Sequence, residues 1–306
     1  MHLLLLLACT KATPLVFLDE YLLPGDDAFP ESVAWDPQTA AFYTSSLGRG
    51  DVTQTLVTGE SSTFYADNGD IPWVTVGLEV DAERRRLWVC ASVFDGSAPG
   101  ELWVLDLDSG ALLSTLSLAS ARADASCTDV NLDPAGVAYV TDRENPDIYR
   151  VNADTQSVEL WIEDPLLEPG FVGLNGVVFS PDGQSLLVTQ YLPTALIRLP
   201  LDNPAGLAAV TLNGEPFEGD SSLNGADDVV VMGELLYATL VDRLFTLRSE
   251  DGWISAEISG VDLPDDGVTG LAVAEGALFG ANGQAVQYAL EQEPETPFWI
   301  HRVELP

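Results

Sequence analysis

The chain has 306 residues, 46% of them apolar, a length that ordinarily suggests two domains. Its net charge is −36, from 48 acidic residues against eleven Arg and a lone Lys11. That imbalance excludes nucleic-acid binding, which needs clustered positive charge against phosphates, and reads as a solubility feature suited to a salty habitat.

The chain opens on MHLLLLLACT, a Leu-rich run that closes on Leu-Ala-Cys. The run is similar to a bacterial lipoprotein signal, in which a small residue precedes the cleavage point and the Cys carries the lipid, here Cys9. It departs from such signals in its shortness and in having no Lys or Arg ahead of it, as though the true start lay upstream. The reading implies a signal over 1–9 and one mature domain over 10–306. It also implies an address in the cell envelope, periplasmic or outer surface, or outside the cell, with membrane contact only through the lipid. No other stretch approaches the ~18 apolar residues of a spanning helix.

Downstream, one hairpin pattern returns six times: an apolar run, a tight turn of Asp, Pro or Gly, and a second apolar run. The copies are ESVAWDPQTAAFYTSS, VGLEVDAERRRLWVCAS, TDVNLDPAGVAYVTD, NGVVFSPDGQSLLVTQ, DDVVVMGELLYAT and TGLAVAEGALFGAN. They begin at positions 31, 76, 128, 175, 227 and 269. A period of roughly 40 to 50 residues built of short strands signals propeller blades. Further strand-like pieces follow the hairpins, among them ELWVLDLDSG, DIYRVNADTQ, ALIRLPLDNP, RLFTLRSEDG and AVQYALEQEP. With about four antiparallel strands per repeat, the expected fold is an all-β, six-bladed β-propeller closed as one ring. A TIM barrel is excluded because no convincing helical period separates the strands. Either 14–21 or 298–305 supplies a terminal strand that removes the exposed sheet edge.

The innermost strand of each blade lines the central channel, so the opening residues of the six copies meet in a ring at one mouth. That ring is Glu31, Val76, Thr128, Asn175, Asp227 and Thr269. Five of the six carry side-chain oxygens, the donors that hard cations such as Ca²⁺ prefer. Asp and Asn also start strands simply as turn residues, but that explanation does not account for their agreement at one repeat position. Ca²⁺ or another divalent cation is the expected cofactor. The ends of the second strands face the same mouth, which makes Ser45, Ser46, Ser92, Asp142, Arg143, Gln190, Tyr191 and Asn282 expected pocket neighbours. The turns on the opposite face, DPQT, DPAG and SPDG, are structural. Arg84–Arg86 reads as a solvated turn. Cys90 and Cys127 match no zinc spacing and read as buried free thiols, with a disulfide as the alternative.

The stretches PESVAWDP, CTDVNLDPAGVAYVTD, LNGVVFSPDG and GADDVVV resemble the regucalcin–gluconolactonase (SMP-30/gluconolactonase/LRE-like) family of six-bladed propellers. The resemblance implies a calcium ion held by Glu31, Asn175 and Asp227. Thr128 stands where the family has an Asn and is a weaker ligand, and Asp129 matches the Asp that follows it and is expected to line the pocket. It also implies lactone or ester hydrolysis, with the ion polarising the carbonyl and Asp227 ligating it or activating water.

Absences narrow the chemistry further. The two His residues, His2 and His301, lie near the ends of the chain, which argues against a His-based dyad in the ring. With no Lys in the repeats, a Schiff-base mechanism is excluded there, and no glycine-rich loop opens a helix to cradle phosphates. Two readings remain: a monomeric calcium-dependent hydrolase of lactone or ester substrates, and a non-catalytic binding or scaffold propeller that keeps a structural ion.

Overall fold

Each of the six hairpins forms, and each becomes the inner half of one blade. The computed structural model describes residues 15–170, 172–219, 223–263 and 267–305; Cys9 lies outside them. Six antiparallel sheets make a six-bladed propeller. Blade one runs outward from Val33–Asp36 through Ala41–Thr44 and Asp51–Leu56 to Ser61–Ala66. Blade five carries a fifth strand, Thr211–Gly214, paired in parallel with Ser255–Asp262.

The alternation of the sequence maps onto depth in the blade. Second strands such as Ala41–Thr44 and Ala138–Thr141 are buried at every residue, because both faces pack on neighbouring blades. Outermost strands such as Ser61–Ala66 and Ser157–Glu163 are half exposed. Phe42, Tyr21 and Phe279 join blades one and six in a tilted aromatic cluster with ring centroids 4.9–6.2 Å apart.

Both chain ends close the ring. Trp299–Val303 is the third strand of blade six, and Glu20–Leu22 pairs antiparallel with it as the outermost strand. The stretch AVQYALEQEP does not form the outer strand expected of it; Ala285–Ala289 is a short α-helix over the channel mouth. Ala, Gln and Leu are good helix formers, and Ala285, Val286, Ala289 and Leu290 recur at helical spacing.

Inner strands of alternate blades differ. Those of blades two, four and six, Val74–Asp81, Val172–Phe179 and Val268–Ala274, each contain a β-bulge. At the bulge stands a glycine, Gly77, Gly176 or Gly270. A Cβ there would lie 2.6 Å from Asp129 Cα, 2.9 Å from the Asp227 carbonyl oxygen, and 2.6 Å from Ser32 Cα, respectively. Only glycine lets the neighbouring backbone approach so closely.

Two further expectations need correction. Arg84–Arg86 do sit in a hairpin turn, but they stitch blades together. Arg84 donates to the Pro134 carbonyl (3.0 Å), Arg85 spans Asp36 (2.9 Å) and Asp108 (2.7 Å), and Arg86 reaches Asp154 (2.8 Å). Asp36 is the acid of DPQT, and its other contacts, from the Gln38 N–H and the Thr39 hydroxyl, close that turn. Cys90 and Cys127 are not free thiols but form a disulfide between blades two and three. The end of the second strand in blade two meets the start of blade three, where Ser92 Oγ also donates to the Cys127 carbonyl (2.7 Å). The bridge closes a separation of 37 residues, so replacing both cysteines with Ala should cost about 3–4 kcal/mol. Urea unfolding of the double variant measures the loss, and a stability within ~1 kcal/mol of the wild type would contradict a constraining role.

Candidate functional site

The bulges and strand starts decide where the ring residues point. Glu31, Thr128 and Asp227 precede the innermost strands of blades one, three and five. Val76 and Asn175 lie within the bulges of blades two and four, a device that re-aims a side chain. Five of the six ring positions, Glu31, Val76, Thr128, Asn175 and Asp227, line one cavity of about 240 Å³ at the channel mouth. Thr269 does not line it; its hydroxyl donates to the Glu31 carbonyl (2.7 Å) and so ties blade six to blade one.

Within the cavity, Asn175 Nδ2 donates to Asp227 Oδ1 at 2.6 Å. That bond fixes the carboxamide so that its carbonyl oxygen remains as an acceptor. Thr128 Oγ1 accepts from the Arg143 backbone N–H at 3.1 Å. Burial pushes the Asp227 carboxyl well up, aided by Asp228 and opposed by the Asn175 bond. Glu31 is also raised, first by burial, then by Asp227 and the deeper carboxylates, and is opposed by Arg143. Two carboxylates that repel each other in a water-poor cavity, with a carboxamide and a hydroxyl beside them, fit a hard divalent cation. Among the described residues no three His, Cys, Asp or Glu side chains form a metal-binding group. A cation here therefore depends on Asn175 and Thr128 as well as on the two carboxylates.

Of the expected pocket neighbours, Arg143 and Tyr191 line the cavity. The Arg143 guanidinium stacks 3.6 Å from the Phe94 ring centroid and pairs with Glu144 at 3.1 Å, not with Asp142. Tyr191 donates its hydroxyl to the Leu223 carbonyl (2.9 Å). The others lie outside the cavity, because their polar atoms are used by backbone. Asp142 is fully buried and accepts from the N–H groups of Ser126, Glu144 and Asn145 and from the Tyr149 hydroxyl. Gln190 donates to the Glu168 carbonyl (3.0 Å), and Asn282 accepts from the Trp299 N–H (2.7 Å). Ser45 accepts from the Ser32 N–H (2.9 Å), while Ser46 and Ser92 donate to carbonyls of Ala28 and Cys127. Asp129 lies deeper in the channel and accepts from the Val177 N–H (2.8 Å).

The apolar wall of the cavity was not read from the sequence. Phe94, Leu47 and Leu223 come from loops, Tyr288 and Leu290 from the short helix and its C-terminal end, and Val172 from the first residue of an inner strand, all outside the six aligned copies. The helical spacing over 285–290 was the available signal.

No family model matches the sequence, and no curated protein matches it. Solved structures do match in fold. The Malassezia sympodialis allergen Mala s 1 superposes with a TM-score of 0.72 at 19% identity, over 94% of this chain and 97% of that one. A luciferin-regenerating enzyme gives 0.66 at 14%, over 94% and 95%. Virginiamycin B lyase from Staphylococcus aureus gives 0.60 at 12%, over 94% and 88%. At these identities the shared property is the propeller, the fold that the gluconolactonase resemblance implied.

Below the mouth, the channel carries a second set of acids, Glu79, Asp129 and Asp228. Asp228 is pushed up to about 7 by burial, against the N–H groups of Leu271 and Val229 that it accepts from. Glu79 is pushed up to about 8, by burial first and then by Asp228 and Asp81. An unfolded Glu ionises near 4.3. Between those values the folded chain holds a proton that the unfolded chain has released, so stability falls as pH rises through that window. Glu79→Gln should therefore melt a few degrees above the wild type at pH 8.5 and coincide with it near pH 4.5. An equal difference at both pH values would contradict this origin.

Proposed function

We propose that the channel mouth is the active site of a calcium-dependent hydrolase that opens lactones or related esters. The observation that carries this reading is the convergence of Glu31, Thr128, Asn175 and Asp227, from four separate blades, on one cavity. Turn chemistry accounts for each residue alone and not for their meeting. The fold, shared with a luciferin-regenerating enzyme and a gluconolactonase candidate, is compatible with the reading.

Glu31, Asn175 and Asp227 would hold the ion, with Thr128 as a weaker fourth partner. When bound, a divalent cation polarises the substrate carbonyl. Asp227 takes the proton from water as its oxygen attacks the carbonyl carbon. The ring C–O bond breaks, and the proton passes to the departing alkoxide oxygen, leaving a hydroxy acid. The Asn175 bond orients Asp227 for that transfer, and Arg143 beside Glu31 offers a cation near the carboxylate produced.

A second reading is a binding propeller with a purely structural ion. It is favoured by Thr128, a shorter ligand than the Asn it replaces, whose hydroxyl is already engaged by the Arg143 N–H. In either case a hundredfold excess of Ca²⁺ over its dissociation constant should stabilise the fold by about 2.7 kcal/mol. Asp227→Asn keeps an oxygen ligand but loses the base. Lactonase activity should fall at least a hundredfold, while the calcium-dependent rise in melting temperature is largely retained. A wild-type protein whose melting ignores both calcium and chelator would sink the metal reading.

We further propose an envelope or secreted location. The Cys90–Cys127 disulfide suits an oxidising compartment, and lipidation at Cys9 would tether the domain. Cys9→Ser should shift the protein from the membrane fraction to the soluble one on fractionation; unchanged membrane association would refute the anchor.

A further inference from the structure

We infer that the substrate carries an apolar body, an alkyl or aryl substituent, on its reactive carbonyl ring, and is not a polyhydroxylated sugar lactone; this rests on the hydrolase reading above. The cavity is divided in character. Its floor is the oxygen-bearing ring of Glu31, Thr128, Asn175 and Asp227, and its wall and rim are mostly carbon: Phe94, Leu47, Val172, Leu223, Leu290 and the ring of Tyr288.

Three of those rim side chains are open to solvent, Phe94 at 40%, Leu223 at 37% and Leu290 at 53%. Apolar groups left open around a concave site mark a surface that a ligand covers. Few polar groups face that wall, and two of them, Arg143 and Tyr191, already have partners. The face of the Arg143 guanidinium lies on Phe94 (3.6 Å) and its edge on Glu144 (3.1 Å). The Tyr191 hydroxyl is spent on the Leu223 carbonyl (2.9 Å).

A ligand seated with its carbonyl at the floor therefore places its substituent against carbon. The hydroxyls of a sugar lactone would lose water there and find few partners. An alkyl chain gains with every methylene covered. At ~30 Å³ per water, the 240 Å³ cavity has room for about eight waters, enough for a lactone ring and a short chain.

Steady-state kinetics of the calcium-loaded protein on γ-lactones bearing alkyl chains from methyl to hexyl test the inference, with a polyhydroxylated lactone of the same ring for comparison. The expected kcat/KM rises about fourfold per methylene until the cavity is filled, and the polyhydroxylated lactone falls at least tenfold below the longest chain. Leu223→Ser should flatten that slope. Equal or faster turnover of the polyhydroxylated lactone, or no dependence on chain length, overturns the inference while leaving the hydrolase reading intact.

If no lactone is opened, calorimetric titration with 2-alkylcyclopentanones, which water does not open, separates the two ideas. Affinity that tightens with chain length upholds the apolar specificity of the site though the hydrolase reading has failed. Affinity that is flat with chain length, or no binding at all, overturns the specificity as well.

Discussion

Asp129 and Asp228 each leave their own blade and accept a backbone N–H from the next one around the ring, Val177 at 2.8 Å and Leu271 at 2.7 Å. Ser32 does the same more weakly toward Leu78 at 3.3 Å. The residues just before two of these, Thr128 and Asp227, accept through their carbonyls from Gly77 and Gly176 of the preceding blade, at 2.8 and 2.9 Å. Each such pair thus grips both neighbours. Hydrogen bonds to a carboxylate are stronger than neutral ones when that group is ionised, and the glycine at each bulge lets the grip close. The six blades therefore alternate between three that grip and three that are gripped, an alternation visible in the bulges of blades two, four and six. Because Thr128 and Asp227 are bonded directly into this girdle, and Glu31 receives the Thr269 hydroxyl, the geometry of the candidate site is inherited from the joints between blades.

The girdle also explains how so acidic a chain folds. Carboxylates in the channel are raised by burial, and Glu31, Asp129 and Asp227 also by their neighbours, a burden that backbone N–H groups partly offset for Asp129 and Asp228. On the opposite face the arginines of blade two bind acids of blades one, two and three. Positive charge thus serves the joints of the ring, while at the mouth Arg143 stands beside Glu31 and Asp227. A divalent cation there would complete the balance that the side chains leave open.

Much of this was legible because a propeller repeats. Six copies of one hairpin pattern reveal blade number, strand order and the aligned channel positions, since each copy reports the same local physics. Glu31, Asn175 and Asp227 could be grouped for that reason alone. The pocket neighbours were less legible. Gln190 and Asn282 sit where strand ends approach the mouth, yet their side chains satisfy the backbone at Glu168 and Trp299. Sequence register places a residue near a mouth, but the unsatisfied backbone group nearest to it decides where its side chain goes.

The sequence by itself determined the all-β architecture, the six blades and the repeat position that supplies oxygen donors, because these follow from local periodicity and turn chemistry. Only the tertiary structure decided the rest. It joined Cys90 to Cys127 across 37 residues, turned Arg84–Arg86 into inter-blade ties, and brought Ala285–Ala289 and Phe94 over the mouth as an apolar wall. It also sent Asp129 down the channel, one residue from Thr128 in the chain but facing a different layer, because successive residues there point to opposite ends of the same grip. Such outcomes depend on contacts between segments far apart in the chain, and no local pattern encodes which distant backbone a side chain will meet.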